Sequence, residues 1–246
     1  MPREGLLVSV VSHLHGTLVQ PLLEDLARCD TRAMHVVLTL NAAETLPFEP
    51  GAFPFRLEVV RNASPRGFGA NHNAAFARAS AEHFAVLNPD LRLPHDPFRT
   101  LLPALEDQTV GAVAPRIVDP TGAPEDHARA FPTPFTIIAK LFGSRPRIQG
   151  DSSGKPFRAD WIAGMFMLFR GDAFAAVGGF DESYFLYYED VDLCARLAGR
   201  GMRVEVHPAA TAVHDARRAS HGNALYMLWH LKSMARFFSK RALGEL

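Results

Sequence analysis

The sequence predicts an α/β fold, with a mixed, mostly parallel sheet flanked by helices in a single domain. Apolar, β-rich runs alternate with helical patterns up to about residue 119, the order expected of parallel strands joined by helices. These runs are nearly continuous in apolar residues, as in strands covered on both faces. The 246 residues contain neither an internal repeat nor a clear linker, and this length fits one domain with a substantial core.

The individual elements follow from hydrophobic periodicity. The predicted strands span residues 6–12, 34–40, 55–62, 84–90, 110–119, the first part of 159–182, and 202–214. The predicted helices span residues 17–29 with Thr17 as a candidate N-cap, 69–83, 97–107, the last part of 159–182, 190–200 and 223–242. Prolines interrupt the pattern between residues 119 and 156, and so long an irregular segment is typical of a binding loop or lid.

Composition limits the classes of function. Lys plus Arg and Asp plus Glu number 26 each, so no bulk charge favours binding to nucleic acid. Cys29 and Cys194 lie far apart without metal-ligand spacing, which favours reduced thiols in an intracellular protein. No apolar run reaches the ~18 residues that span a membrane, and no signal-peptide pattern is present. We expect a cytoplasmic protein that is at most peripheral to a membrane.

Polar residues follow two of the predicted strands. Asn88 and Asp90 flank a proline after the fourth strand, where ligands bind in open α/β sheets. An aspartate there suits a hard divalent cation that bridges to phosphates, although Asn-Pro-Asp taken alone is more often an ordinary turn. His214 ends the last strand and is a candidate second metal ligand. Arg217 and Arg218 beyond it can clamp a diphosphate or be surface charges.

Residues 62–76 place Gly67 and Gly69 between a strand and a helix. Glycine lets backbone amides approach a ligand, and a helix N-terminus favours an anion. Asn62 and Asn71 add groups that can hydrogen-bond a sugar or a nucleobase. The alternative is a strand-to-helix turn with asparagine caps.

Gly164 lies within an otherwise bulky apolar strand, and Trp161 comes just before it. Glycine in a strand often marks the close approach of a ligand or of another backbone. The indole face of Trp161 suits the apolar face of a sugar, but core packing explains the same residue.

The segment "YFLYYEDVDLCARLAGRG", residues 184–201, sets aromatic residues beside acidic ones at the start of a helix that Gly199 and Gly201 are expected to end. Glu189 and Asp190 fall in its first turn, where the helix dipole is expected to hold Asp190 ionised. These acids are either an ordinary N-terminal cap or a general base beside an aromatic-lined pocket.

In this order, these segments resemble the family 2 glycosyltransferases, nucleotide-sugar enzymes with the GT-A fold. The resemblance runs from "LLVSVVS" through "NASPRGFGANHNAAF", "VLNPD", "WIAGMFMLFR" and "GGFDESYFLYYEDVDLCARLAGRG" to "TAVH". The chain is most similar to the rhamnosyltransferase-like branch that builds bacterial surface polysaccharides. The resemblance implies one domain over residues 1–246, with a nucleotide-sugar-binding half (about 1–118), an acceptor and catalytic half (about 119–222) and a C-terminal helix (223–246).

The resemblance also implies residue roles and an inverting transfer. Asp190 is the expected general base, with Glu189 beside it, and Asp90 and His214 are expected to hold Mg²⁺ or Mn²⁺. The implied donor-binding residues are Asn62, Arg66, Gly67, Phe68, Asn71, Asn88, Asp90 and Arg217. The implied acceptor-binding residues are Trp161, Gly164 and Tyr188. The expected partners are a dTDP- or UDP-sugar donor and a glycan or lipid-linked acceptor, with a homo-oligomer left open.

The sequence departs from the family pattern at two turns. Asn41 follows the second strand where an aspartate is common, and "SHLHG" follows the first strand where a Tyr-Asn pair is more usual. Two alternatives to the enzyme remain: a non-catalytic GT-A binding or scaffold subunit, and a sugar nucleotidyltransferase. The latter needs a glycine-rich, basic first loop, whereas "SHLHGT" has one glycine and no Lys or Arg.

The predicted helix at residues 223–242 mixes apolar and aromatic residues with basic ones. Such a helix can lie on an anionic bilayer. Packing on the domain itself, or on a second subunit, explains the same composition.

Overall fold

A computed structural model describes residues 4–30, 33–141, 154–215 and 224–246. The strands are β1 (Glu4–Ser12), β2 (Met34–Leu40), β3 (Arg56–Arg61), β4 (Ala81–Leu87), β5 (Leu91–Arg92), β6 (Val110–Val118), β7 (Ala128–Arg129), β8 (Phe157–Ala159), β9 (Trp161–Ile162), β10 (Phe166–Arg170) and β11 (Arg203–His214). The α-helices are α1 (Gly16–Leu26), α2 (Phe68–Phe76), α3 (Phe98–Leu101), α4 (Pro134–Leu141), α5 (Gly171–Ala176), α6 (Glu189–Gly199) and α7 (Ala224–Ala242).

A nine-stranded sheet organises the domain in the order β3-β2-β1-β4-β10-β6-β11-β5, with β8 also paired to β11. Strands β1 to β4 pair in parallel, and β6 pairs in parallel with β11. Because β10 is antiparallel to both β4 and β6, all six of these strands run in one direction. The predicted mixed, mostly parallel α/β sheet is therefore confirmed.

Apolar side chains cover both faces of this sheet. Leu6, Val8 and Val10 of β1 belong to one buried cluster, whereas Leu7 of the same strand belongs to another. Successive side chains of a strand point to opposite faces, so each face has its own core. This double coverage explains the nearly continuous apolar runs of the sequence.

Helix α1 begins one residue before the predicted cap. Its N-cap is His15, which makes no side-chain capping bond, and Thr17 lies inside the helix. The Glu44 carboxylate instead accepts hydrogen bonds from the backbone N–H groups of Gly16, at 2.8 Å, and Leu14, at 3.2 Å. A side chain distant in sequence replaces the predicted local cap.

Two predicted helices are shorter than expected. The helix predicted over 69–83 ends at Phe76, and His83 lies in β4 opposite Leu6 of β1. The helix predicted over 97–107 is divided into α3 and a 3₁₀ turn that begins at Pro103, a residue that cannot donate a backbone hydrogen bond. Strand pairing ends the first helix early and a proline interrupts the second, although the residues in both segments are compatible with a helix.

The proline-rich segment carries more regular structure than predicted. Strand β7 pairs with β9 in a separate two-stranded sheet, and α4 follows at Pro134–Leu141. The prediction for residues 142–153 lies outside the described residues.

The C-terminal part of α7 packs on the domain through charges. Arg236 and Lys240 pair with Asp181 at 3.1 and 3.0 Å, and Lys240 also pairs with the fully buried Asp192 of α6. Phe237 is buried in the same region. Two basic residues of α7 therefore contact the domain itself, which was one of the two alternatives to membrane binding for this helix. In the part of the chain that the structure describes, no helix is long and apolar enough to cross a membrane.

Candidate active site

The acidic pair lies at the start of α6, after two residues with left-handed backbone. Tyr187 and Tyr188 have φ of 70° and 67°, a conformation that costs residues other than glycine about 1–2 kcal/mol each. Helix α7 supports this turn, because Ser233 Oγ donates to the carbonyl of Leu186 at 2.8 Å. The ring of Tyr188 is buried and lies 5.7 Å from the ring of Phe237 in the same helix. The turn thus holds Glu189 and Asp190 against the domain.

Backbone N–H groups orient the Asp190 carboxylate. Oδ2 accepts a hydrogen bond from Gly164 at 3.1 Å, and Oδ1 accepts one from Val191 at 2.8 Å. Burial raises the pKa of Asp190, and these two bonds oppose the rise. That Asp190 is held ionised therefore stays a prediction, in which the helix N-terminus favours the carboxylate and burial opposes its ionisation.

Glu189 is the more deeply buried member of the pair. Burial raises the pKa of Glu189 well above its ordinary value, and the neighbouring Asp190 adds to the rise. Its Oε2 atom is buried and accepts no hydrogen bond from the described residues. Simultaneous ionisation of the two carboxyl groups is therefore unfavourable. When only one of them is charged, the charge belongs on Asp190, which accepts more hydrogen bonds.

Three glycines near the acidic pair accommodate protein atoms. A Cβ atom on Gly164 would lie 2.9 Å from the Phe68 ring, and one on Gly67 would lie 3.0 Å from the backbone of Phe185. A Cβ on Gly69 would lie 2.5 Å from the Phe180 side chain. Packing within the protein therefore accounts for glycine at both positions, and the approach of their backbone amides to a ligand stays a prediction. For Gly164, the neighbour is an aromatic ring rather than another backbone.

The predicted donor loop is held by an asparagine network. Asn62 Nδ2 donates to Asn41 Oδ1 at 2.8 Å and to Asn71 Oδ1 at 2.7 Å. Asn41 also donates to the carbonyl of Arg66 and accepts from its N–H, at 2.9 and 2.8 Å, while Asn71 donates to the carbonyl of Gly67 at 3.0 Å. The side-chain amides of Asn62 and Asn71 thus bond within the protein. Aspartate at position 41 would keep the acceptor oxygen, but it would lose the N–H that donates to Arg66 and would add a negative charge.

Asp90 and His214 lie close together, as predicted, because the short strand β5 that follows Asp90 pairs antiparallel with the end of β11 and sets Leu91 opposite His214. His214 Nε2 lies 3.3 Å from Asp90 Oδ2, and its Nδ1 lies 2.6 Å from Glu125 Oε2. Hydrogen bonds and charge from both carboxylates overcome the opposing effect of burial and raise the pKa of His214 to about 9. Glu125 was missed by sequence reasoning, since it falls in the irregular segment after β6.

These residues fit a divalent cation. Asp90 Oδ1 is buried and has no hydrogen-bond partner among the described residues, so it is an oxygen available for a ligand. A carboxylate oxygen and an imidazole nitrogen are suitable ligands for Mg²⁺ or Mn²⁺. No group of three or more potential ligands in a metal-binding arrangement occurs among the described residues, where Asp90 and His214 are the candidate pair.

Two hydrogen bonds donated by backbone N–H groups connect this cluster to the acidic pair. The N–H of Asn88 donates to the carbonyl of Met165 at 2.9 Å, and the adjacent Gly164 donates to Asp190. The turn that carries Asp90 and the base candidate Asp190 therefore belong to one continuous site.

Trp161 lies beside a residue that sequence reasoning missed. Its indole N–H donates to the carbonyl of Ala130 at 3.1 Å, and the Arg129 guanidinium lies 5.8 Å from its ring centroid. The charge of Arg129 also lowers the pKa of Asp190 slightly against the effect of burial. The short β7–β9 pairing that brings Arg129 to Trp161 has no signal in the sequence.

The remaining predicted donor residues differ in how they are placed. Phe68 packs on His72 and Phe180, with ring centroids 4.4 and 5.8 Å apart, and Arg66 is exposed with Glu182 3.6 Å away. Arg217 and Arg218 lie outside the described residues.

Comparisons with known proteins identify the family of the chain. Residues 2–234 match the family described as glycosyltransferase like family 2. The chain is 30% identical to rhamnosyltransferase WbbL of Escherichia coli over 251 residues, covering 96% of this chain and 93% of that one. It is 34% identical to the N-acetylglucosaminyl-diphospho-decaprenol L-rhamnosyltransferase of Mycobacterium tuberculosis over 170 residues, covering 65% and 55%.

Two solved structures share the fold. GalNAc-T7, solved with UDP, GalNAc and Mn²⁺, has a TM-score of 0.67 at 16% identity and covers 89% of this chain and 44% of its own. The mannosyltransferase PcManGT of Pyrobaculum calidifontis, solved with GDP-Man and Mn²⁺, has a TM-score of 0.66 at 19% identity and covers 98% and 65%. The fold and the family match define a glycosyltransferase of the GT-A type. The chain belongs to glycosyltransferase like family 2.

Proposed function

We propose that the protein is an inverting glycosyltransferase that moves a sugar from a nucleotide-diphosphate donor to a glycan or lipid-linked acceptor in surface polysaccharide synthesis. The observation that carries the proposal is the Asp190 carboxylate, fixed by the N–H groups of Gly164 and Val191 beside the buried Glu189. Rhamnose is the sugar favoured, because two relatives are rhamnosyltransferases.

Asp190 acts as the general base. Its raised pKa makes it a stronger base than an ordinary aspartate. It accepts the proton of an acceptor hydroxyl while that oxygen attacks the anomeric carbon. The electron pair of the broken glycosyl bond leaves with the nucleotide diphosphate on the opposite face, so the anomeric configuration inverts. One base suffices for this displacement, whereas a glycosidase uses two carboxyl groups with separate roles.

Asp90 and His214 would hold the divalent cation, Mg²⁺ or Mn²⁺. When bound, the cation neutralises charge on the donor diphosphate. The unpartnered Asp90 Oδ1 and the adjacent His214 Nε2 support this assignment, as does the Mn²⁺ present in both structural neighbours.

The two halves of the site take different substrates. The loop at residues 62–68 and Asn88 form the donor side, in the half of the domain up to about residue 118. Trp161, Gly164 and Tyr188 form the acceptor side, in the half that runs to about residue 222. The N-acetylglucosaminyl diphospholipid in the mycobacterial relative's name supports a lipid-linked acceptor. The donor is a dTDP- or UDP-sugar.

Peripheral membrane contact, on the cytoplasmic side, belongs to the same proposal. The N-terminal half of α7 exposes Leu225, Met227, Leu228 and Leu231, each between 46% and 62% accessible. Exposed apolar residues on one helix suit the interface of a bilayer. Flotation with anionic liposomes tests this contact. Protein that stays at the bottom of the gradient contradicts it.

A thermal-shift screen against UDP, dTDP, GDP and CDP, with and without Mn²⁺ or Mg²⁺, tests the donor site. A ligand that binds only the native state raises the midpoint. We expect a metal-dependent shift with dTDP or UDP that Asp90→Ala removes. No shift with any nucleotide would favour the non-catalytic subunit instead.

A further inference from the structure

Glu125 contacts the side of His214 that faces away from Asp90. Its Oε2 atom lies 2.6 Å from His214 Nδ1, while Asp90 lies on the Nε2 side at 3.3 Å. The side chains are only 24% accessible for Glu125 and 12% for His214. The imidazole is therefore held at both nitrogens, and Glu125 is separated from Asp90 by the ring.

The backbone around Glu125 is built as a defined turn. The Asp119 carboxylate accepts from the N–H groups of Thr121 and Ala123, at 2.8 and 2.9 Å, and Gly122 has φ of 84°. The chain then returns along β6, where the N–H of Glu125 donates to the carbonyl of Ile117 at 2.9 Å. Local hydrogen bonds thus fix the backbone of Glu125, from which its side chain extends to His214.

A carboxylate bonded to one imidazole nitrogen restricts which way the ring faces. In the neutral imidazole that a metal ion requires, this hydrogen bond places the remaining proton on Nδ1 and leaves the Nε2 lone pair for the ligand. Groups of this kind orient metal-binding histidines, and their loss weakens metal affinity by about 10- to 100-fold.

We propose that Glu125 is a positioning residue that directs His214 Nε2 toward the divalent cation beside Asp90. The inference rests on the proposed function, because it requires that cation. Glu125 acts only through the ring of His214, and it contacts neither substrate nor metal.

Mn²⁺ titration followed by electron paramagnetic resonance, with saturating dTDP or UDP, measures this effect directly. We expect Glu125→Gln to weaken Mn²⁺ binding about 10- to 100-fold. Asp126→Asn is the matched control, since it removes one carboxylate from the adjacent residue, which pairs with Arg129. We expect it to change Mn²⁺ affinity by about twofold at most. Metal-free thermal midpoints establish that each variant is folded.

A double-mutant cycle separates positioning from direct action. In a His214→Ala background, Glu125→Gln is expected to have no further effect. An equal loss in both backgrounds overturns the proposal, because Glu125 would then act independently of the ring. Unchanged Mn²⁺ affinity in Glu125→Gln, with loss in Asp90→Ala, overturns this inference and leaves the proposed function standing. A wild-type protein that binds no Mn²⁺ with any nucleotide overturns both.

Discussion

The backbone N–H of Gly164 donates a hydrogen bond to Asp190 Oδ2 at 3.1 Å, and a Cβ atom on Gly164 would lie 2.9 Å from the Phe68 ring. One residue therefore joins the base candidate to the donor-side loop. Its lack of a side chain permits both contacts.

Gly164→Ala tests this relationship. The added methyl group must displace Phe68 or the strand segment, so we expect a loss of about 1–3 kcal/mol in the free energy of unfolding. Displacement of the Asp190 carboxylate should lower turnover by about 100-fold. Gly51→Ala is the control, since its Cβ meets no atom within 4 Å. Equal stability and turnover in both variants would show that the close contact does not constrain the site.

Asn41→Asp introduces the residue that the family commonly carries. Aspartate keeps the acceptor for Asn62 and for the Arg66 N–H, but it cannot donate to the Arg66 carbonyl. Leaving that carbonyl opposed to a buried carboxylate should cost about 1–3 kcal/mol. Urea denaturation of the two proteins measures this cost. An unchanged or higher midpoint would mean that the amide is not required.

Lys240→Met breaks the ionic contact between α7 and α6. Asp192 is fully buried, and removing one partner of a buried ion pair typically costs about 3–5 kcal/mol. Arg196 still bonds Asp192 at 2.7 Å, so we expect the lower end of that range. Lys232→Met, at an exposed position of the same helix, is the matched control. Similar unfolding free energies for the two variants would contradict the structural role of Lys240.

The buried His72 is expected to make the free energy of unfolding fall at acidic pH. It is buried beside Ser9, with 2.7 Å between Ser9 Oγ and His72 Nδ1, and burial lowers the pKa of His72 to about 3. Between an unfolded value of about 6.5 and this folded value, only the unfolded chain binds the proton. The free energy of unfolding therefore falls as pH falls below about 6.5, by up to ~1.4 kcal/mol per pH unit.

Urea denaturation between pH 7 and pH 5 checks this pH dependence. His72→Asn keeps a polar atom near Ser9 but no longer titrates, so its stability should fall less steeply with pH than that of the wild type. Equal slopes for the two proteins would show that His72 does not contribute.

Hydrophobic periodicity was sufficient to predict the sheet and most of its elements. Both faces of β1 and β2 are apolar, and these strands are short and well separated in the sequence. Polar residues after two predicted strands also indicated that Asp90 and His214 lie close together, although the β5–β11 pairing that joins them was not predicted. Glu125, Arg129 and the cap from Glu44 were missed, since each reaches its partner through tertiary contacts that leave no local pattern. The neighbours of Gly67 and Gly69, the backbone of Phe185 and the side chain of Phe180, are likewise distant in sequence and leave no local pattern.

The central claim is that Asp190 is the base of an inverting transfer. Its most direct test incubates the protein with dTDP-rhamnose, Mn²⁺ and a short-chain N-acetylglucosaminyl diphospholipid, and determines the anomeric configuration of the product by NMR. We predict an inverted linkage, and we expect Asp190→Asn to lower turnover by about 10²- to 10⁴-fold while metal-dependent nucleotide binding persists. A product with retained configuration, or wild-type turnover by Asp190→Asn, would contradict the account.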